Sequence, residues 1–155
     1  MTEFDSYAND YDVALRRGLA VSGEDKPVFA KGHILWLRRC LENIEFIPGT
    51  VLDYGCGTGT AVPFLLEILG AERVIGLDVS AKSLEIARQT HKGLPADFTL
   101  ISDHIPGGTI DLVFCNGVFH HIPEDQRAQV IEYIGQCLRP GGVFALWENN
   151  PWNPG

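Results

Sequence analysis

The stretch from Thr50 to Gly59, T-V-L-D-Y-G-C-G-T-G, constrains this chain more than any other. Thr50, Val51 and Leu52 form a short apolar, partly β-branched run that favours a buried strand, and Asp53 closes it. Gly55, Gly57 and Gly59 then alternate. Glycine has no Cβ, so such a loop turns sharply and lets a ligand lie against bare backbone. Ala61, Phe64, Leu65, Ile68 and Leu69 follow at helical spacing. The local product is strand, glycine loop, helix, with loop N–H groups and a helix N-terminus facing whatever binds. The spacing is G-x-G-x-G, and Thr60 occupies the place where a dinucleotide fingerprint needs its third glycine. Asp53 stands at the strand's carboxyl end, where a carboxylate can receive an ammonium group.

The same alternation continues downstream. Arg73 to Asp78 reads as a second strand, and Ser80 can cap a helix containing Leu84, Ile86 and Ala87. Phe98 to Ile101 reads as a third strand and Ile110 to Cys115 as a fourth, with only Asp111 polar. Pro123 opens a helix whose inner stripe is expected at Ala128, Ile131, Ile134 and Leu138. Arg139-Pro140-Gly141-Gly142 should end it, and Val143 to Trp147 reads as a fifth strand. Upstream, residues 1–26 have loose helical spacing. Pro27 opens a clearer helix with a buried face expected at Phe29, His33, Trp36, Leu37, Cys40, Leu41 and Ile44. The pattern predicts an α/β fold: a doubly wound, Rossmann-like, mostly parallel sheet with helices on both faces. Two regions are expected, an N-terminal helical cover over 1–47 and a core over 48–155.

Such sheets bind ligands at the carboxyl ends of their strands. Those ends carry Asp53 with Gly55, then Asp78, then Ser102, Asp103 and His104, then Asn116 with His120 and His121, then Glu148, Asn149 and Asn150. Asp78 lies 25 residues after Asp53 and is placed to accept both hydroxyls of a ribose, with a helix cap as its alternative role. Asp103 could accept from an exocyclic amine.

Composition narrows the partners. A net charge of −8 over 155 residues argues against a phosphate-backbone partner. Cys40, Cys56, Cys115 and Cys137 form no C-x-x-C pair, so reduced thiols in a cytoplasmic setting and no zinc site are expected. No apolar run approaches the ~20 residues of a membrane span.

The ordered segments V-L-D-Y-G-C-G-T-G, V-I-G-L-D-V-S, I-D-L-V-F-C-N-G-V-F-H-H-I and L-R-P-G-G resemble the motifs of class I S-adenosylmethionine-dependent methyltransferases, over about Pro48 to Glu148. The resemblance implies S-adenosylmethionine as cofactor and S-adenosylhomocysteine as product. Gly55, Gly57 and Gly59 would line the methionine part, Asp53 would hold its ammonium group, and Asp78 would take the ribose hydroxyls. Val79 would lie against the adenine, Asp103 would meet its amine with Ser102 and His104 beside it, and Asn116 would approach the methionine moiety. Tyr11 would belong to the helical cover. His120 and His121 are the candidate general bases, because imidazole titrates near neutral pH. A small-molecule methyl acceptor is the leading expectation. A non-catalytic cofactor-binding module and a nucleotide-dependent oxidoreductase domain are the alternatives. The family fold has seven strands, and the pattern here supplies five. The expectation is therefore a fragment of a longer protein, or an obligate partner or self-association through the apolar edge of the fifth strand.

Overall fold

The computed structural model describes residues 26–148, so Tyr11, Asn149 and Asn150 lie outside the described residues. In chain order the elements are α1 (Lys26–Asn43), β1 (Thr50–Tyr54), α2 (Val62–Ile68), β2 (Arg73–Asp78), α3 (Ala81–Thr90), β3 (Ala96–Leu100), β4 (Ile110–Asn116), α4 (Glu124–Cys137) and β5 (Leu138–Trp147). Short 3₁₀ turns cover Ile101–Asp103 and Phe119–His121.

The five described strands form one sheet in the order β3-β2-β1-β4-β5, and every pairing is parallel. Chain order reverses direction between β1 and β4. A crevice opens at such a switch point, outside the strands' carboxyl ends.

Side chains alternate across each strand, and the two faces bury separate cores. Val51, Val74, Leu112 and Phe114 join Ile34, Leu37 and Leu41 of α1, Leu65 of α2 and Leu84 of α3 on one face. Leu52, Tyr54, Val113 and Cys115 meet Ile134 and Cys137 of α4 on the other. Val74, Val51, Leu112 and Val143 lie in register across four strands. Leu112 is fully buried at the centre of that row, so truncating it to Ala should cost about 2–5 kcal/mol.

Three elements depart from expectation. In α1 the buried positions are Ala30, Ile34, Leu37 and Leu41, whereas Phe29, Trp36 and Ile44 are exposed at 38%, 59% and 60%. Two apolar stripes at helical spacing compete on this helix, and the narrower aliphatic one fits closest to the sheet. In α4 the buried residues are Ile134 and Cys137, backed by the partly buried Val130 and Tyr133, while Ile131 is 51% exposed. The expected stripe was rotated by about one residue. β5 begins at Leu138 instead of Val143: Leu138 pairs with Ile110, and the register then jumps to Leu112 opposite Val143. Arg139 to Gly142 bulges out between them, with Gly141 at φ +79°.

Asp111 explains itself at the opposite end of the sheet from the crevice. Its Oδ2 accepts from the N–H groups of Gly49 (3.0 Å) and Thr50 (2.8 Å), and its Oδ1 accepts from Arg139 Nε. The Arg139 guanidinium also lies 5.3 Å above the Phe46 ring. One carboxylate thus ties the start of β1 to the bulge of β5.

Candidate functional site

A cavity of about 610 Å³ opens at the carboxyl ends of β1, β2 and β4. The glycine loop forms its floor. Gly55 N and Cys56 N both donate to Leu77 O, at 2.7 and 2.9 Å, which folds the loop back over β2. Gly55 has φ +74°, and a Cβ there would fall 2.5 Å from Val118 Cγ2. Gly57 has φ +54° and open space above it, the nearest atom being Lys26 Nζ at 4.0 Å. So Gly55 is required by a close approach of the chain to itself, and Gly57 leaves room for something else.

Asp53 and Asp78 both stand in the cavity wall. Asp78 organises the loop: its Oδ2 accepts from Gly57 N (2.8 Å) and its Oδ1 from Ser80 N (2.9 Å). The helix-capping role falls to Ser80, whose Oγ accepts from Ser83 N at the start of α3. Asp53 is different. Only 3% of it is exposed. Burial, reinforced by the charge of Asp78 and opposed by Lys26, pushes its pKa up to about 7. A buried carboxylate beside a second carboxylate is a site that a cation would relieve.

The wall also includes Val79, which is half exposed at the mouth, and Asn116. The side-chain Oδ1 of Asn116 is 3.1 Å from His33 Nδ1. The His33 ring stacks on Trp147 at 5.3 Å and meets Phe29 edge-on at 4.4 Å.

Of the two candidate bases, His121 lies in the wall and His120 does not. Burial and the neighbouring His120 lower the His121 pKa, against a raising effect from Glu148, so its imidazole is held toward the neutral form. His120 instead pairs through Nδ1 with Glu148 Oε2 at 2.9 Å, and the two imidazole rings sit 3.9 Å apart.

Gly59, Ser102, Asp103 and His104 are not part of the wall. Gly59 (φ +80°) is buried, and a Cβ there would meet the His91 ring at 2.7 Å. Its smallness therefore serves packing, while His91 binds Thr58 O through Nε2 at 3.2 Å. Ile101, Ser102 and Asp103 wind into a 3₁₀ turn, where one residue in three faces a given direction. Ile101 is the one in the wall. His104 turns away to Tyr133, its Nδ1 2.5 Å from the phenol oxygen.

Among the wall residues that the motif reading did not single out are Lys26, Phe29 and Ala30 from α1, and Gln126 and Val130 from α4. Phe29 was expected in the buried face of α1 and instead lines the cavity, 38% exposed. Gln126 and Val130 gave no signal in the sequence. Among the described residues, no helix is long and apolar enough to cross a membrane.

Comparison with known proteins follows the same lines. Residues 51–142 match the family model described as a methyltransferase domain. Trans-aconitate 2-methyltransferase of Azoarcus sp. is 37% identical over 100 residues, which is 63% of this chain and 38% of that protein. Ribosomal protein L11 methyltransferase of Burkholderia mallei is 34% identical over 122 residues, 76% of this chain and 39% of that protein. The chain thus spans about two fifths of the length of these relatives. A solved S-adenosylmethionine-dependent methyltransferase from Mesorhizobium loti superposes with a TM-score of 0.55 at 29% identity, over 63% of this chain and 46% of that one.

Proposed function

The chain belongs to the methyltransferase-domain family, within the class I S-adenosylmethionine-dependent enzymes, and from that premise we propose that it transfers the cofactor's methyl group to a small-molecule acceptor. The carrying observation is Asp53: a carboxylate buried in the cavity wall, its pKa pushed up to about 7 by burial and the charge of Asp78, beside the open backbone of Gly57. An adenosyl amino acid suits that arrangement. Its ammonium group would meet Asp53, its ribose hydroxyls the remaining lone pairs of Asp78, and its base the side chain of Val79. The cavity volume falls within the range of about 300–1,000 Å³ usual for cofactors and small ligands.

The bound cofactor supplies an activated sulfonium methyl, so the hard chemistry is its own. The chain's residues hold, align and exclude water. An acceptor with an O–H or N–H must lose its proton as the new bond to carbon forms, leaving S-adenosylhomocysteine. His121, in the wall and held toward neutrality, is the group placed to take that proton. Asn116, steadied by His33, would orient the acceptor or the methionine moiety. The cover over residues 1–47, including Tyr11, belongs to this proposal, supported by Lys26, Phe29 and Ala30 of α1 in the wall. The four free thiols support a cytoplasmic setting. The outer edge of β5 pairs with no strand among the described residues, which supports self-association there.

Calorimetric titration with S-adenosylhomocysteine and with NAD, followed by radiolabelled methyl transfer to a panel of metabolites and to ribosomal protein, tests the reading. Micromolar binding of S-adenosylhomocysteine with none of NAD, and label in a metabolite, is expected. Binding of NAD alone would favour an oxidoreductase domain. Cofactor binding without transfer to any acceptor would favour a binding module.

A further inference from the structure

The segment after β4, Gly117 to His121, forms one wall of the cavity and has no regular strand or long helix to hold it. Its anchors come instead from the tip of β5. Gly117 N donates to Trp147 O at 2.8 Å. The next residue, Glu148, is only about a quarter exposed and spends its whole carboxylate on the same segment. Its Oε1 accepts from the backbone N–H groups of Val118 (2.9 Å) and Phe119 (2.6 Å), and its Oε2 is paired with His120 Nδ1 (2.9 Å). The two N–H groups are the free donors that open the 3₁₀ turn Phe119–His121, whose preceding residue offers no side-chain cap. Glu148 therefore caps this turn from another strand, with a negative charge at the turn's electropositive end.

What the capped segment does makes the contact more than local. Val118 is pressed on Gly55, the glycine whose Cβ would fall 2.5 Å from Val118 Cγ2. His121, three residues on, faces the cavity. One carboxylate thus binds the backbone between the residue that packs on the glycine loop and the candidate base.

We propose that Glu148 is a positioning residue: it holds the Gly117–His121 segment so that Val118 packs on the cofactor loop and His121 faces the cavity. The inference rests on reading the cavity as the cofactor site. It assigns to the tip of an edge strand a part in cofactor affinity that neither the glycine loop nor Asp78 reveals.

The test compares Glu148→Ala and Glu148→Gln with the parent chain. Glutamine keeps a side-chain oxygen for Val118 N and Phe119 N, whereas alanine removes it. Calorimetry with S-adenosylhomocysteine should show Glu148→Ala weakened about 10- to 30-fold and Glu148→Gln by less than about 3-fold, since glutamine keeps the two hydrogen bonds without the charge and alanine keeps neither. Amide hydrogen exchange of the ligand-free proteins should show Val118 and Phe119 losing protection in Glu148→Ala and retaining it in Glu148→Gln, while β1 and β2 amides stay unchanged. A chain in which Glu148→Ala binds as tightly as the parent, or in which Glu148→Gln is as impaired as Glu148→Ala, overturns the inference. A parent chain that does not bind S-adenosylhomocysteine overturns the functional reading instead, so the two failures are distinguishable. If Glu148→Ala does not fold, the Glu148→Gln and Glu148→Asp pair decides. Affinity retained in Gln and reduced in the shorter Asp supports the reach argument, and equal affinities refute it.

Discussion

Replacing Asp53 with Asn should stabilise the ligand-free protein and abolish tight cofactor binding. Asp53 is 3% exposed, and its pKa rises from 3.8 to about 7, with burial the first cause and Asp78 the second. A shift of about 3 units corresponds to about 4 kcal/mol between protonation states, at 1.36 kcal/mol per unit. The sign follows from linkage. The folded-state value lies above the unfolded one, so the protonated group contributes fully below about pH 4. That contribution is lost as pH rises through about 7. Asparagine never ionises, so its advantage should grow across the same window. Its amide still needs partners in a buried place, at a cost of about 1–3 kcal/mol. A net gain of about 1–3 kcal/mol at pH 8.5 is therefore expected, shrinking by about 2 kcal/mol at pH 5.5. Urea unfolding of both chains at the two pH values, without ligand, measures it. In the same preparations, affinity for S-adenosylhomocysteine should fall about 100-fold or more, because the ammonium would be buried without its counter-charge. A stability difference that does not change with pH, or an Asn variant that binds as well as the parent, would refute the reasoning.

Three further outcomes follow from the same structure. Gly55→Ala should destabilise by about 1–3 kcal/mol in urea and weaken S-adenosylhomocysteine at least ~10-fold, because φ +74° and the Val118 contact both oppose a Cβ; Gly57→Ala should cost only about 1 kcal/mol, since the space above it is open. His121→Ala should keep cofactor affinity within about 3-fold and lower methyl transfer by about 10²- to 10⁴-fold for an acceptor that loses a proton, read by radiolabel. Asp111→Asn should cost about 1.5–3 kcal/mol at pH 7 with cofactor affinity unchanged. Its carboxyl is held below the usual range, first by the Thr50 N–H, so this contribution is present above about pH 4 and fades as pH falls through the lowered value.

β1, β2 and β4 were legible because they are largely apolar runs bounded by Gly, Pro and polar residues, and buried strands leave few alternatives. The strand tips were legible for the same reason, since Asp53, Asp78 and Asn116 end apolar runs and all reach the cavity. Helix faces were less so. α1 and α4 each carry apolar residues at more than one helical phase, and only packing against the sheet decides which phase is buried. Ser102, Asp103 and His104 were assigned by adjacency to β3. The 3₁₀ turn that rotates them out of the wall has no strong sequence signature. Gly59 looked like its two neighbours, yet its small size answers to His91, which is 32 positions away in sequence. Glu148 followed the fifth strand as one polar residue among three, and its service to Val118, Phe119 and His120 depends on a contact across the sheet.

A crystal structure of the complex with S-adenosylhomocysteine tests the central claim most directly. It should place the ligand's ammonium group within hydrogen-bond distance of Asp53, its ribose hydroxyls on Asp78, and its backbone-facing edge over Gly57. Density for the ligand outside the crevice between β1 and β4, or a bound ligand touching neither carboxylate, would contradict the account.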